Sequence, residues 1–249
     1  MQEEKKVFCA FLCAYGCVYA FFHIMPTFLP AFLKRPLTWG DALDFLTPFF
    51  VIPVAYLLYF MAKRVLLSSY KLGRSQGVVA KVLLALGFLL YVDGHGLHLG
   101  ANSIVRLIQN DKTSELFRAV YLYDEVLSHY MWHSGVFLVS VGLIVIAQNL
   151  PFESLKAAHH GLIFFGAAFY GFNYTVGGVE GQTVILTFPL AFLGSFLSFF
   201  LYLQEKKKGL QNPFLLFFWT AYLLSMLLFA YWGFTRSGFP QFSELGWIR

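Results

Sequence analysis

Two stretches of this chain bring reactive side chains into apolar surroundings. The first reads Tyr91-Val92-Asp93-Gly94-His95-Gly96-Leu97-His98-Leu99-Gly100-Ala101-Asn102. On a helix, at about 100° per residue, His95, His98 and Asn102 share one face, and Asp93 points elsewhere. The second runs from Asp124 to His133. There Glu125, His129 and His133 recur at i, i+4 and i+8 and form one ridge, flanked by Asp124 and Ser128. A short link near Asp111–Lys112 joins the two stretches, so they are expected to be antiparallel neighbours. Reflecting the chain about that link sets His129 level with residue 96 and Glu125 level with residue 100. The two ridges therefore face each other at one depth.

Each neutral imidazole carries a donor and an acceptor. A purely structural network would have to satisfy many such groups, and metal ligation is the more economical account. His95, His98, His129 and His133 are the expected ligands. Glu125 serves as ligand or general base, Asp124 as a second candidate base and Glu180 as a further ligand. Asn102, Ser128 and His160 are placed in support. Three His with a water suit zinc and hydrolysis of a lipid ester or amide. More His with carboxylates suit two irons and an oxidation, hydroxylation or desaturation of an apolar substrate. His95 and His129 would be an axial pair for haem, with Gly94, Gly96 and Gly100 leaving room for the ring. A proton or cation path and a purely structural network complete the alternatives.

These residues need elements to position them, and composition says which kind. Hydrophobic residues make up 58% of the 249 and charged residues only 12%. A soluble core of this size cannot hide that much apolar surface, which excludes a soluble enzyme, a nucleic-acid binder and a disordered chain. Seven stretches are long and apolar enough to cross a bilayer: about 7–33, 42–66, 77–108, 115–148, 151–176, 180–204 and 213–235. The expectation is an all-α integral membrane protein, one seven-helix domain over 1–249, with the bilayer and a lipid or other apolar substrate as its partners. The first run is too long for the apolar part of a signal peptide. Pro151 after Asn149 should open the fifth span, and Gly177-Gly178 should separate it from the sixth. Eleven of the 18 Lys and Arg, Lys71 and Lys206–Lys208 among them, fall on the side of the N-terminus, and seven, Arg249 among them, fall opposite. That balance predicts a cytoplasmic N-terminus and an extracytoplasmic C-terminus. Cys9, Cys13 and Cys17, spaced by four, read as a packing face for a neighbouring helix rather than a metal stripe.

The other polar residues are placed by the same reflection. Glu180 opens span six near the depth of Asp124, and Asn173 ends span five at a similar level. His23 and Asp44 fall in the outer halves of spans one and two. His160, reflected about Asn149, falls level with residue 138, about 8 Å from the depth of His133. The segment from Arg236 onward is expected to lie along the outer surface as an interfacial tail, the preferred reading, with capping of the site as the alternative. The motif His129-Tyr130-Met131-Trp132-His133, preceded by Ser128, together with the span count, resembles the seven-span metal hydrolases that include alkaline ceramidases and adiponectin-type receptors. In that group the pair sits in the last span. Here it sits in the fourth, and the seventh has no His. The resemblance implies zinc hydrolysis and extends no further along the chain.

Overall fold

The computed structural model describes residues 2–69, 72–108, 110–152 and 154–247; Lys71 and Arg249 of the charge balance lie outside them. Long apolar runs form helices because a bilayer leaves backbone groups no partner but one another. Among the described residues seven helical segments are long and apolar enough to cross a membrane, consistent with an all-α bundle of the multi-pass kind. The elements are α1 (Gln2–Ile24), a 3-10 turn (Met25–Phe28), a hairpin of β1 (Phe32–Lys34) and β2 (Leu37–Thr38), α2 (Trp39–Phe45), α3 (Thr47–Ser68) and α4 (Arg74–Ile108). Then come α5 (Glu115–Tyr121), a π-helical turn (Leu122–Ser128), α6 (His129–Ala147), α7 (Ala157–Glu180), α8 (Val184–Lys207) and α9 (Pro213–Arg236).

Several boundaries differ from the sequence reading. The first span stops at Ile24, where Pro26 enters a 3-10 turn and the chain folds into the hairpin. The fifth starts at Ala157 rather than Pro151, because residues 148–152 and 154–156 are not helical. Gly177 and Gly178 stay inside α7, and the break falls after Glu180, with Gln182 at φ 51°. Glu180 therefore closes the fifth span rather than opening the sixth. A mid-helix glycine need not end a helix when a neighbour occupies the space its side chain would take. A Cβ on Gly178 would stand 2.5 Å from the Thr187 hydroxyl oxygen.

The helices meet through small residues, as expected where lipid supplies no hydrophobic drive to association. In the α1–α7 contact a methyl group on Gly16 would strike the Gly166 carbonyl, and one on Gly166 would stand 2.5 Å from Cys13 Cα. The cysteine face of α1 is thus a packing surface, with all three thiols free. The α4–α6 crossing is closer to the site. A methyl on Gly94 would stand 2.5 Å from Trp132 N, one on Gly135 2.5 Å from Tyr91 N, and one on Gly87 2.8 Å from Val139 N. These contacts set the register of the two helices, with residue 94 opposite 128–132.

The 35 residues of α4 and the 33 of Glu115–Ala147 reach roughly 50 Å each, against about 30 Å for a hydrocarbon core. They project past the turn between α7 and α8, whose helices have 24 residues each. The projecting end of α4 is tied to the α1–α3 connection. Arg106 Nη2 donates to Asp41 Oδ1 at 2.9 Å and Nη1 donates to the Pro36 carbonyl at 3.1 Å, with a second bond from Nη1 to Asp41 Oδ2. Asp41 also caps α2 with Thr38. Removing one partner of a pair like this strands the other charge. Arg106→Met is expected to destabilise the chain by about 2–4 kcal/mol. Adding Asp41→Asn should recover part of that loss, as read by thermal unfolding of the two single variants and the double. Equal unfolding of Arg106→Met and the native chain would show that the pair contributes nothing.

Candidate functional site

A cavity of about 1220 Å³ lies at the end of the bundle where α7 and α8 turn. Its walls come from many places in the sequence. α4 supplies His98 and Asn102, and the π-helical turn supplies Glu125. α6 supplies His129, Trp132 and His133, and α7 supplies Asn173, Gly177 and Glu180. The connection after α1 and the segment after α9 close it over, the latter with Gln241, Phe242 and Ser243.

The π-helical turn is the local device the sequence reading lacked. Such turns add a residue to one turn of an α-helix and are common at functional sites. This one bears Asp124 and Glu125, two of the three acidic residues of the fourth span. Asp124 is buried at 3% exposure, with Oδ1 2.8 Å from His98 Nδ1, although off the line of a well-directed hydrogen bond. Glu125 lines the cavity, with Oε2 3.8 Å from His129 Nδ1. The Ser128 hydroxyl donates to the Asp124 carbonyl within the turn. Ser128 therefore braces the turn and does not face the cavity.

His129 Nδ1 is held by the Glu125 carbonyl at 3.0 Å, and His98 Nδ1 lies 2.8 Å from the Asp124 carboxylate as a close contact rather than a directed bond. Among the described residues no protein hydrogen bond engages Nε2 of either ring. Their ring centres lie 4.8 Å apart. His133 follows one turn on, its ring centre 6.4 Å from that of His129. It is 2% exposed and stacks on Trp132 at 5.7 Å, and among the described residues neither of its buried ring nitrogens makes a well-directed hydrogen bond, although the Gly177 backbone lies alongside. Two glycines at the end of α7 admit these rings. A Cβ on Gly177 would stand 3.2 Å from His133 Cε1, and one on Gly181 2.9 Å from His129 Cγ.

The other expected site residues are placed differently. His95 does not line the cavity. Its Nε2 lies 2.8 Å from the Asp44 carbonyl and its ring packs between Tyr91 and Trp132, because a step of three residues turns it from His98 toward α2. The indole of Trp132 packs against both His95 and His129, so a haem bridging that pair would have to displace it. The glycines expected to make room for the ring do not. Gly94 meets the α6 backbone, and Gly96 and Gly100 face open space outside the bundle. His160 bonds the Lys156 carbonyl at 3.1 Å in the first turn of α7, 17 residues or about 25 Å below Gly177. The non-helical stretch before α7 consumes residues without the regular rise, which misplaced His160 in the reflection. Glu180 lines the cavity, but its Oε2 accepts from the backbone N–H of Phe242 at 2.8 Å and of Ser243 at 3.3 Å. Gln241 also donates to the Glu180 carbonyl. Glu180 thus pins the segment after α9. Glu180→Ala is expected to raise hydrogen exchange at the Phe242 and Ser243 amides about tenfold, the scale of one charge-assisted bond. Unchanged exchange there would show that the latch carries no weight.

His23 was seen in the sequence only as a polar residue of span one, yet it lines the cavity. Its Nδ1 lies 2.6 Å from the Tyr19 carbonyl, its Nε2 lies 3.1 Å from the Tyr91 hydroxyl, and its ring stacks on Trp132. Both nitrogens are engaged, so it shapes the wall rather than offering a donor. Among the described residues no three His, Cys, Asp or Glu side chains stand close enough around one point to form a finished metal site. Comparison with protein-family models, with curated proteins and with solved structures finds no match to this chain.

Proposed function

We propose that this protein is an integral membrane enzyme that hydrolyses a lipid ester or amide with one divalent metal ion, zinc, held by His98, His129 and His133. The observation that carries the reading is His133, a buried imidazole at the wall of a large cavity whose two nitrogens make no well-directed hydrogen bond among the described residues. Buried polar groups without partners are rare and call for a ligand, an ion or an ordered water. Two further points support an ion. His98 and His129 set Nδ1 against a carboxylate and a carbonyl, the arrangement that orients ligating imidazoles and leaves Nε2 free. Two imidazoles on one tetrahedral zinc stand with ring centres roughly 5 Å apart, given Zn–N bonds of about 2.0 Å. The 4.8 and 6.4 Å separations are within a side-chain rotation of that value.

A bound divalent metal lowers the pKa of its water and polarises a carbonyl. Around it, Asp124 would orient His98, and Glu125, which lines the same cavity, would serve as general base for that water. One ion is favoured over two irons because the remaining carboxylates are engaged elsewhere. Asp44 lies beside His95 and Thr47, and Glu180 holds the segment after α9. The Lys and Arg balance supports an N-terminus in the cytoplasm and a C-terminus outside, and in that orientation the site would face the extracytoplasmic side.

The test is elemental analysis and an absorption spectrum of the purified, detergent-solubilised chain, isolated without chelator. About one zinc per chain with no visible band is the expected result. Iron near two per chain would replace the hydrolase with an oxidative enzyme, and a Soret band would replace it with a haem protein. A chain that neither holds nor takes up metal would sink the reading.

A further inference from the structure

A substrate of this site has to reach it, and the geometry of the cavity wall points to the direction. From Ala157 to Gly177, α7 rises about 30 Å, the thickness of a hydrocarbon core. Lys156, just before α7, and Lys206 and Lys207, at the end of α8, mark the lower end of that rise. His133 against Gly177 and His129 against Gly181 mark the upper end. The imidazoles therefore stand where acyl chains give way to the ester and headgroup layer. They do not stand in mid-membrane.

At that level α7 lies between α1 and α9, packed against both. Its Phe172 and Val176 form the floor of a slot. Ile24 and Phe28 stand on the α1 side, Leu228 and Tyr231 on the α9 side, and all six line the cavity. Phe28, Phe172 and Tyr231 are also 60%, 48% and 64% exposed. The cavity wall on this side is thus made of apolar side chains that are themselves exposed. Over the top, the β1–β2 hairpin and the segment latched by Glu180 contribute Phe32, Gln241 and Phe242 to the lining. The cavity is apolar toward the slot and polar toward the imidazoles.

We infer that the occupant is a bilayer lipid that enters sideways through this slot from the leaflet on the α9 C-terminal side. One acyl chain lies along Phe172 and Val176, and the junction of chain and headgroup lies against Trp132 and His133. Three features select this occupant. The slot is continuous with the polar site, the site stands at the depth of a lipid's own ester layer, and the volume exceeds the roughly 300–1,000 Å³ of pockets for drug-sized molecules. The inference takes the site from the proposed function, but binding of the lipid needs no metal.

The experiment reconstitutes the full chain in phosphatidylcholine vesicles that contain a phosphatidylcholine with a diazirine on one acyl chain. Irradiation is followed by peptide mass spectrometry. With the diazirine next to the ester, adducts are expected on Trp132 and Gly177. With the diazirine at the chain terminus, they should move to Phe172 or disappear from the cavity. Ile185 and Phe196, exposed on α8, report contact with bulk lipid in both cases. Val176→Trp with Leu228→Trp should cut the Trp132 adduct at least tenfold and leave the α8 adducts unchanged. Absence of a Trp132 adduct, or an adduct indifferent to diazirine position, would overturn lateral entry. The positional comparison needs no variant, so poor folding of the plugged chain does not spoil it. Metal content of the same sample separates the two ideas. Metal without a Trp132 adduct refutes lateral entry alone, and a Trp132 adduct without metal refutes the hydrolase alone.

Discussion

His133→Ala is expected to lose bound metal and all measurable turnover while its seven helices remain inserted. The asymmetry follows from what the ring does and does not touch. Among the described residues neither of its nitrogens makes a well-directed hydrogen bond to protein, so little of a network collapses with it. The structural loss is a cavity beside Trp132 and Tyr174, next to one that is already large. The functional loss is one of three ligands. His129→Ala should behave alike. Asp124→Asn should weaken metal by about 10–100-fold without abolishing it, the usual effect of changing a carboxylate behind a ligating imidazole. His95→Ala should do the reverse, lowering stability through its lost bond to the Asp44 carbonyl while metal content holds. A purely structural histidine network predicts a different ranking, with His95 and His23 sensitive and the unpartnered His133 nearly silent. Metal analysis and thermal unfolding on the same four proteins separate the two. Full metal retained in both His129→Ala and His133→Ala would end the assignment of these ligands.

What could be read from the sequence divides along physical lines. Spanning helices are legible because the bilayer imposes length and apolarity at once, with few alternatives. The facing of the third and fourth spans is legible because their link is short: reflection set 129 against 96, and the glycine contacts set 128–132 against 94. Where the connection loses regularity, the same arithmetic fails. The non-helical stretch between α6 and α7 put His160 in the wrong place, and no local residue pattern announces how far such a stretch rises. The π-helical turn is hidden for a similar reason, because a single extra residue in one turn leaves composition and spacing unchanged. The turn nonetheless sets Asp124 against His98. Glu180 was legible as a polar residue at the right depth. Its use as a latch was not, because its partners are backbone N–H groups some sixty residues away. His95 shows the limit of facing arguments. Two imidazoles 60° apart on one helix can serve different neighbours when a second helix packs between them.

Gly94→Ala is expected to damage the site more than its size suggests, and it tests how the two histidine-bearing helices are held. The added methyl would stand 2.5 Å from Trp132 N and 2.6 Å from the Ser128 carbonyl oxygen. Both are backbone atoms, so no rotamer change relieves the contact and α4 must move away from α6. Overpacking of this kind costs about 1–3 kcal/mol, which the helix preference for Ala over Gly offsets by at most about 1 kcal/mol. The displacement falls one turn from His98, whose partners Asp124 and His129 both lie on the other side of the crossing. Metal affinity should therefore fall along with the unfolding temperature. Gly96→Ala and Gly100→Ala supply the contrast, since a methyl at either position meets nothing within 4 Å. Propensity alone should leave both neutral or slightly stabilised. If all three variants unfold alike and bind metal alike, the crossing is not the close backbone contact described. If only Gly94→Ala loses both, the distance between α4 and α6 sets the spacing of His98 from His129. That spacing would then be fixed by the absence of a single side chain rather than by the polar residues of the site.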